Sequence, residues 1–145
     1  MATGTFQIYQ QAVQNILKGD IDFDTAVFKV MLASSSYTPN MDTHDFKDDV
    51  VANEVTGTNW AAGGQTTTAT VTTDGASNEV RIALSDISVA TVTVTDGKHA
   101  VVYNSSPGTD ATRHLLGYVT FDTALAPTAG TLTIDFPSPT FKFTY

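Results

Sequence analysis

The sequence contains no cysteine, so a disulfide scaffold, a thiolate zinc site and a cysteine nucleophile are all excluded. It also contains no apolar stretch approaching the roughly 18 residues that a membrane-spanning helix requires. The first residues lack the basic and apolar regions of a signal peptide. From the last two absences we expect a protein that is assembled in the cytoplasm and has no membrane partner.

Basic residues are scarce. Seven Lys and Arg residues stand against fifteen Asp and Glu residues, which gives a formal net charge of −8. Charged residues make up only 15% of the chain, below the roughly 25% of an average soluble domain. The seven basic residues are scattered along the sequence, whereas binding to nucleic-acid phosphates needs clustered Lys and Arg. We therefore expect no direct contact with DNA or RNA.

Motifs that carry a catalytic mechanism are also missing. The sequence has no Gly-x-Ser-x-Gly nucleophile elbow, no Walker loop and no His-Glu-x-x-His zinc motif. His99 and His114 lie beside predicted strands without a positioned nucleophile. We therefore expect a protein that is not an enzyme and uses no cofactor. The alternative is an envelope hydrolase whose two carboxylates cannot be paired from sequence alone.

Threonine is abundant where charge is scarce, above all in Gln65–Thr73. Because threonine is β-branched, this composition favours strands. Ala26–Ala33 is apolar nearly throughout, which is typical of a central strand. In Glu79–Ser85 the large apolar residues Val80, Ile82 and Leu84 alternate with Arg81, Ala83 and Ser85, and the segment follows the hairpin-like loop Asp74–Asn78.

The pattern predicts about eight strands at spacings of roughly 8–12 residues. The remaining candidate strands are Ile87–Val94, His99–Asn104, His114–Asp122, Thr131–Asp135 and Thr140–Tyr145, while Val50–Val55 fits a short strand or a single helical turn. Neither an internal repeat nor a shift in composition marks a second domain. We therefore expect an all-β fold with a single domain over residues 1–145, a β-sandwich or jelly roll.

Residues 1–19 contain the one helical pattern. Apolar residues recur there at spacings of three and four, at Phe6, Tyr9, Val13, Ile16 and Leu17. Thr5 is the expected N-cap, and Gly19 is the expected left-handed C-cap. We predict a short amphipathic helix over Phe6–Lys18 that packs across one end of the β-domain. The alternative is an arm that docks on a partner.

Two acidic segments, Asp20–Asp24 and Asp42–Asp49, raise the question of a bound cation. Carboxylates alternate in the first as they do at the start of a calcium loop, but Thr25 stands where that loop needs glycine and Met31 where it needs glutamate. The second segment includes His44, yet its spacing matches no standard zinc or manganese site. The outer face of an extended segment explains the first pattern, and turn capping explains the second, so we expect no metal, with a bound cation as the alternative.

A run of motifs carries a family resemblance. The motifs are Phe28–Leu32, Tyr37–Asn40, Asp42–Phe46, Glu54–Thr58 and Trp60–Gly64, with Ala100–Asn104 and Leu116–Phe121 later in the chain. In this order they resemble a family of small structural proteins of tailed bacteriophages. The similarity is concentrated between Asp22 and Gly64 and covers most of the chain, from about Ile8 to Tyr145.

The resemblance implies a component of the virion. We expect a capsid decoration (cement) protein on the capsid surface, which binds the major capsid protein and stabilises the head shell after assembly in the host cytoplasm. Such proteins are typically small β-domains and often trimeric, so we also expect a homotrimer. The alternative is a tail- or fibre-associated β-module that binds host carbohydrate, because β-sandwiches serve both roles.

Two elements are the expected contacts with a partner: the long polar segment Ser34–Asp49 and the N-terminal residues 1–19. Neither is obviously needed for a sandwich core, and long ordered loops are often functional. The candidate interface residues are Tyr9, Val13, Tyr37, Pro39, His44, Phe46 and Trp60. For Trp60 three alternatives stand side by side: core packing, an exposed interface hot spot, and a platform on which a sugar stacks.

Overall fold

The structure, a computed structural model, describes residues 4–106 and 108–145. These residues form two short helices, α1 (Gln10–Lys18) and α2 (Asp48–Val51), and eleven strands. The strands are β1 (Phe6–Ile8), β2 (Phe28–Ala33), β3 (Glu54–Val55), β4 (Gln65–Thr67), β5 (Ala69–Asp74), β6 (Glu79–Leu84), β7 (Ile87–Val92), β8 (Gly97–Asn104), β9 (Leu115–Leu125), β10 (Gly130–Ile134) and β11 (Phe141–Thr144). The predicted all-β class is confirmed.

The strands pair antiparallel in three sheets. The largest has the order β1-β9-β8-β2-β3, and β4 also pairs with β2. The second sheet is β10-β7, and the third is β11-β6-β5. Three sheets differ from the two of a jelly roll, so the jelly-roll part of the prediction is not confirmed.

The large sheet is covered on both faces. Strands β2 and β8 lie in its middle and are buried along nearly their whole lengths, which explains why Ala26–Ala33 is apolar almost throughout. On one face, the segment Ser34–Asp49 places the ring of Tyr37 5.6 Å from that of His99 on β8. The other face packs towards the remaining sheets.

Phenylalanine side chains join the large sheet to the β11-β6-β5 sheet. The ring of Phe6 on β1 stacks on Phe141 of β11, with centroids 5.8 Å apart. Phe23 lies between the two sheets, with its ring centroid 5.3 Å from that of Phe28 and 6.3 Å from that of Phe141. Buried side chains from all three sheets form one contiguous cluster, as the core of a single domain does.

The N-terminal element is shorter than predicted. Helix α1 begins at Gln10, so the expected start of the helix at Phe6 and the Thr5 N-cap are wrong. Phe6–Ile8 instead forms β1, which pairs with β9 at one edge of the large sheet. This pairing satisfies backbone groups that the first turn of a helix would leave without intrahelical partners. Within the described residues, no helix is both long and apolar enough to cross a membrane.

The other end of helix α1 is as predicted. Gly19 adopts the left-handed conformation with φ 85°, and its N–H points to the carbonyls of Asn15 and Ile16. The predicted hairpin around Asp74–Asn78 is also confirmed, because β5 and β6 pair from Ala69↔Leu84 to Asp74↔Glu79.

Candidate functional site

The segment Ser34–Asp49 is fixed to helix α1 and to the large sheet by side-chain hydrogen bonds. The hydroxyls of Tyr9 and Tyr37 are 2.8 Å apart, and the Tyr37 hydroxyl is also 2.8 Å from His44 Nδ1. On the sheet below, His99 Nδ1 is 2.9 Å from Thr120 Oγ1. The segment is therefore an ordered cover of its own domain.

Burial controls the charge of this cluster. Desolvation lowers the pKa of His99, because it disfavours the imidazolium form. Desolvation also raises the pKa of Tyr37 to about 12 and raises that of Tyr9 further. These three side chains are therefore neutral near pH 7, as a packed interior requires.

A second hydrogen-bonded group joins helix α1 to the start of β9. The amide of the buried Asn15 donates to Asp45 Oδ1 at 2.8 Å, and its nitrogen lies 2.9 Å from His114 Nδ1. His114 Nδ1 is 3.0 Å from the same Asp45 oxygen, and the rings of His114 and Phe46 lie 4.7 Å apart. These hydrogen bonds hold helix α1 against the segment Ser34–Asp49 and the start of β9.

The structure corrects three of the seven predicted contact residues. Tyr9, Tyr37 and Trp60 are buried within the chain, with at most 3% of each residue exposed. Tyr9 and Tyr37 were predicted as contacts because their segments are not obviously needed for a sandwich core, and Trp60 because an exposed tryptophan would be a hot spot, but large aromatic side chains also fill cores. For the other four, which are partly exposed, contact with a partner stays a prediction: Val13, Pro39, His44 and Phe46.

Trp60 takes the first of its three predicted positions. Its side chain is fully buried in the core, so it offers neither an exposed hot spot nor a platform for a sugar. Its indole Nε1 has no hydrogen-bond partner among the described residues. Trp60 therefore gives no support to the carbohydrate-binding alternative.

The two acidic segments cap turns. The Asp22 carboxylate accepts hydrogen bonds from the Asp24 N–H and the Thr25 hydroxyl, at 2.9 and 3.0 Å. Asp49 Oδ2 accepts from the backbone N–H groups of Asp45 and Phe46. Within residues 4–106 and 108–145, no three His, Asp or Glu side chains are grouped as they would be to hold a metal ion.

An exposed apolar surface lies between the end of helix α1 and the β11-β6-β5 sheet, and we call it the apolar patch. It surrounds a cavity of about 260 Å³ that is lined by Ile16, Leu17, Phe23, Val71, Val80, Ile82 and Phe143. Leu17 is 80% exposed and Val71 is 46% exposed. Contiguous apolar side chains on a surface mark interaction sites, whereas single ones do not.

The register of the strands explains why the apolar side chains of the patch lie together. Val71 pairs with Ile82, and Val80 pairs with Phe143. Because side chains two residues apart share a face of a strand, all four lie on one face of the sheet. The last turn of helix α1 borders this face through Ile16 and Leu17, and Phe23 borders it as well.

The opposite face of the same sheet is polar. Arg81 forms ion pairs with Asp74 at 2.8 Å and with Glu79 at 2.7 Å, and Lys142 also pairs with Glu79. Hydrogen bonds from Lys142 and Arg81 hold the pKa of Glu79 below its usual value. The sheet thus has one charged face exposed to solvent and one apolar face that is only partly covered.

The apolar patch was not predicted from the sequence. Its residues come from three distant parts of the chain, around Leu17, Val71 and Phe143. Val71 lies within the threonine-rich stretch, where an isolated apolar residue is predicted to lie on the inner face of a strand. Comparisons with protein families, with curated proteins and with solved structures find no match for this chain.

Proposed function

We propose that the protein is a structural component of a tailed-phage virion, a capsid decoration protein that binds the head shell. The observation that carries this proposal is the apolar patch, because exposed apolar side chains are stabilised when a protein partner covers them. The motifs between Asp22 and Gly64 support the phage assignment. The net charge of −8 suits docking on a basic surface of the major capsid protein.

The size of the patch favours binding through several copies. Burying one aliphatic side chain completely contributes about 1.5–3 kcal/mol, so covering the exposed parts of Leu17 and Val71 contributes about 2–4 kcal/mol. A millimolar dissociation constant already requires about 4 kcal/mol. A homotrimer on a symmetric shell would engage three patches at once and gain affinity without new contacts.

Sedimentation with capsids tests the proposal. Purified protein is mixed with expanded capsids that lack it, and the bound fraction is measured. We expect saturable binding by the wild type and binding at least about tenfold weaker for Leu17→Glu, because a carboxylate in the patch would be desolvated on docking.

Gln14→Glu is the matched control. It adds the same charge to an exposed position of the same helix, outside the apolar patch, and we expect it to bind like the wild type. Equal weakening by both variants would mean that the patch is not the contact surface. Failure of the wild type to bind would overturn the decoration role.

A further inference from the structure

Three of the seven basic residues of this acidic chain line one cavity, which we call the basic pocket. It has a volume of about 310 Å³, and its charged and hydroxyl-bearing lining residues are Lys29, Lys47, Tyr103, Ser105, Asp110 and Arg113. Lys29 and Tyr103 are direct neighbours across β2 and β8. The gathering of basic residues in a chain of net charge −8 makes this pocket distinct from the rest of the surface.

Lys47 is a buried part of the pocket wall, only 5% exposed. Its Nζ lies 3.1 Å from Asp110 Oδ1 and 4.0 Å from Glu54 Oε2. The same ammonium stands 5.4 Å from the centre of the Tyr103 ring. A charge that is buried with such partners holds a fixed position, because moving it would leave a desolvated carboxylate behind.

Asp110 joins two of the cations. Its Oδ1 accepts hydrogen bonds from Lys47 Nζ and, at 3.0 Å, from Arg113 Nη1. Burial by itself raises the pKa of Asp110, but Lys47 and Arg113 outweigh it and hold that pKa below its usual value. Asp110 is therefore ionised at pH 7. Among the residues that line the pocket, Asp110 is the one carboxylate beside three cations.

Lys29 differs from the other two cations. It is partly exposed at the pocket and forms neither an ion pair nor a hydrogen bond through its ammonium with any described residue. Its neighbours in the ladder, Tyr103 and Thr66, are uncharged. An ammonium without a counter-ion, next to two fixed cations, attracts an anion into the cavity between them.

We propose that the basic pocket binds an oxyanion, a carboxylate or phosphate group, with the Lys29 ammonium as its direct contact. Lys47 and Arg113 contribute the surrounding positive field. The cavity is several times larger than the roughly 30 Å³ of a water molecule, so it holds such a group together with water. This site lies apart from the apolar patch, and it does not rest on the capsid-binding proposal.

Amide chemical shifts of the ¹⁵N-labelled protein test the site. The protein is titrated with sodium phosphate and, separately, with sodium acetate, at an ionic strength held constant with sodium chloride. We expect saturable shifts at Lys29, Gly63 and Tyr103. Lys29→Gln should weaken the binding at least about tenfold, since it removes the charged hydrogen-bond donor.

Lys18→Gln is the control, because Lys18 is an exposed lysine outside the pocket, and we expect it to bind the anions as the wild type does. Saturation by phosphate alone would support a phosphate group as the ligand, and saturation by acetate as well would support a carboxylate. The absence of saturable shifts with either anion, or an unchanged affinity in Lys29→Gln, would overturn the site. Because the titration uses free protein, its failure is distinguishable from a failure to bind capsids.

Discussion

His99 is a buried histidine whose protonation opposes folding. The rings of Tyr37 and Tyr118 pack against it, and its charged neighbours are Asp96 and Lys98. Burial, aided by Lys98, lowers the folded-state pKa of His99 and outweighs a backbone hydrogen bond with Tyr37 and the attraction of Asp96, which both raise that pKa. A histidine in the unfolded chain titrates near about pH 6.5. Between these two pKa values the unfolded state binds more protons than the folded state.

The free energy of unfolding should therefore fall as the pH drops through about 6.5 and below, while His99 contributes no pH dependence well above that value. Urea denaturation at a series of pH values between 7.5 and 5.5 measures this. We expect a smaller fall in His99→Gln, whose amide does not titrate. An equally steep fall in the variant and the wild type would show that His99 is not responsible.

At the scale of single residues, the sequence identified large aromatic side chains but not the environment in which each of them lies. Tyr9, Tyr37 and Trp60 were predicted as contacts with a partner, and for Trp60 core packing was an alternative. All three are buried inside the chain. For Tyr9 and Tyr37 the sequence could not predict this, because their burial depends on which segment covers the sheet. That the Tyr9 and Tyr37 hydroxyls would meet depends on residues 28 positions apart.

The connection between β3 and β4 passes close to the backbone of β2. Gly64 has φ 71°, and a Cβ atom at this position would lie 1.8 Å from the carbonyl oxygen of Val30. Only glycine combines this left-handed conformation with so close an approach. The connection between β3 and β4 therefore requires glycine at position 64, because any other residue would strain its backbone and collide with β2.

We expect Gly64→Ala to lower the free energy of unfolding by about 2 kcal/mol or more, from backbone strain and displacement of the neighbouring strand. Gly75→Ala is the matched control: no atom lies within 4 Å of a Cβ there, so its effect should stay within about 0.5 kcal/mol. Thermal or urea denaturation of both variants measures the difference. A Gly64→Ala protein as stable as the control would contradict the close approach.

Elements with a strong pattern were predictable and those that depend on pairing were not. The apolar β2 and the alternating β6 were predicted close to their observed bounds. Strand β1 was missed, because Phe6–Ile8 fits both a helical face and an alternating strand, and only its pairing with β9 decides. Likewise the short β3 and β4 exist as strands because β2 pairs with both.

At the scale of the whole molecule, the two candidate sites follow from where the fold places charged and apolar side chains, and not from the overall composition. The basic residues are scattered in the sequence, yet the fold brings Lys29, Lys47 and Arg113 to one pocket. It brings Leu17 and Val71 to one patch in the same way. Both sites depend on strand register and on the packing of helix α1, neither of which composition or periodicity encodes.

The number of copies of this chain per virion tests the decoration role most directly. Quantitative mass spectrometry of purified virions gives that number relative to the major capsid protein. A decoration protein that occupies equivalent positions over the head shell predicts a fixed, simple ratio to the major capsid protein. A count of only a few copies, matching a tail ring or a set of fibres, would contradict it.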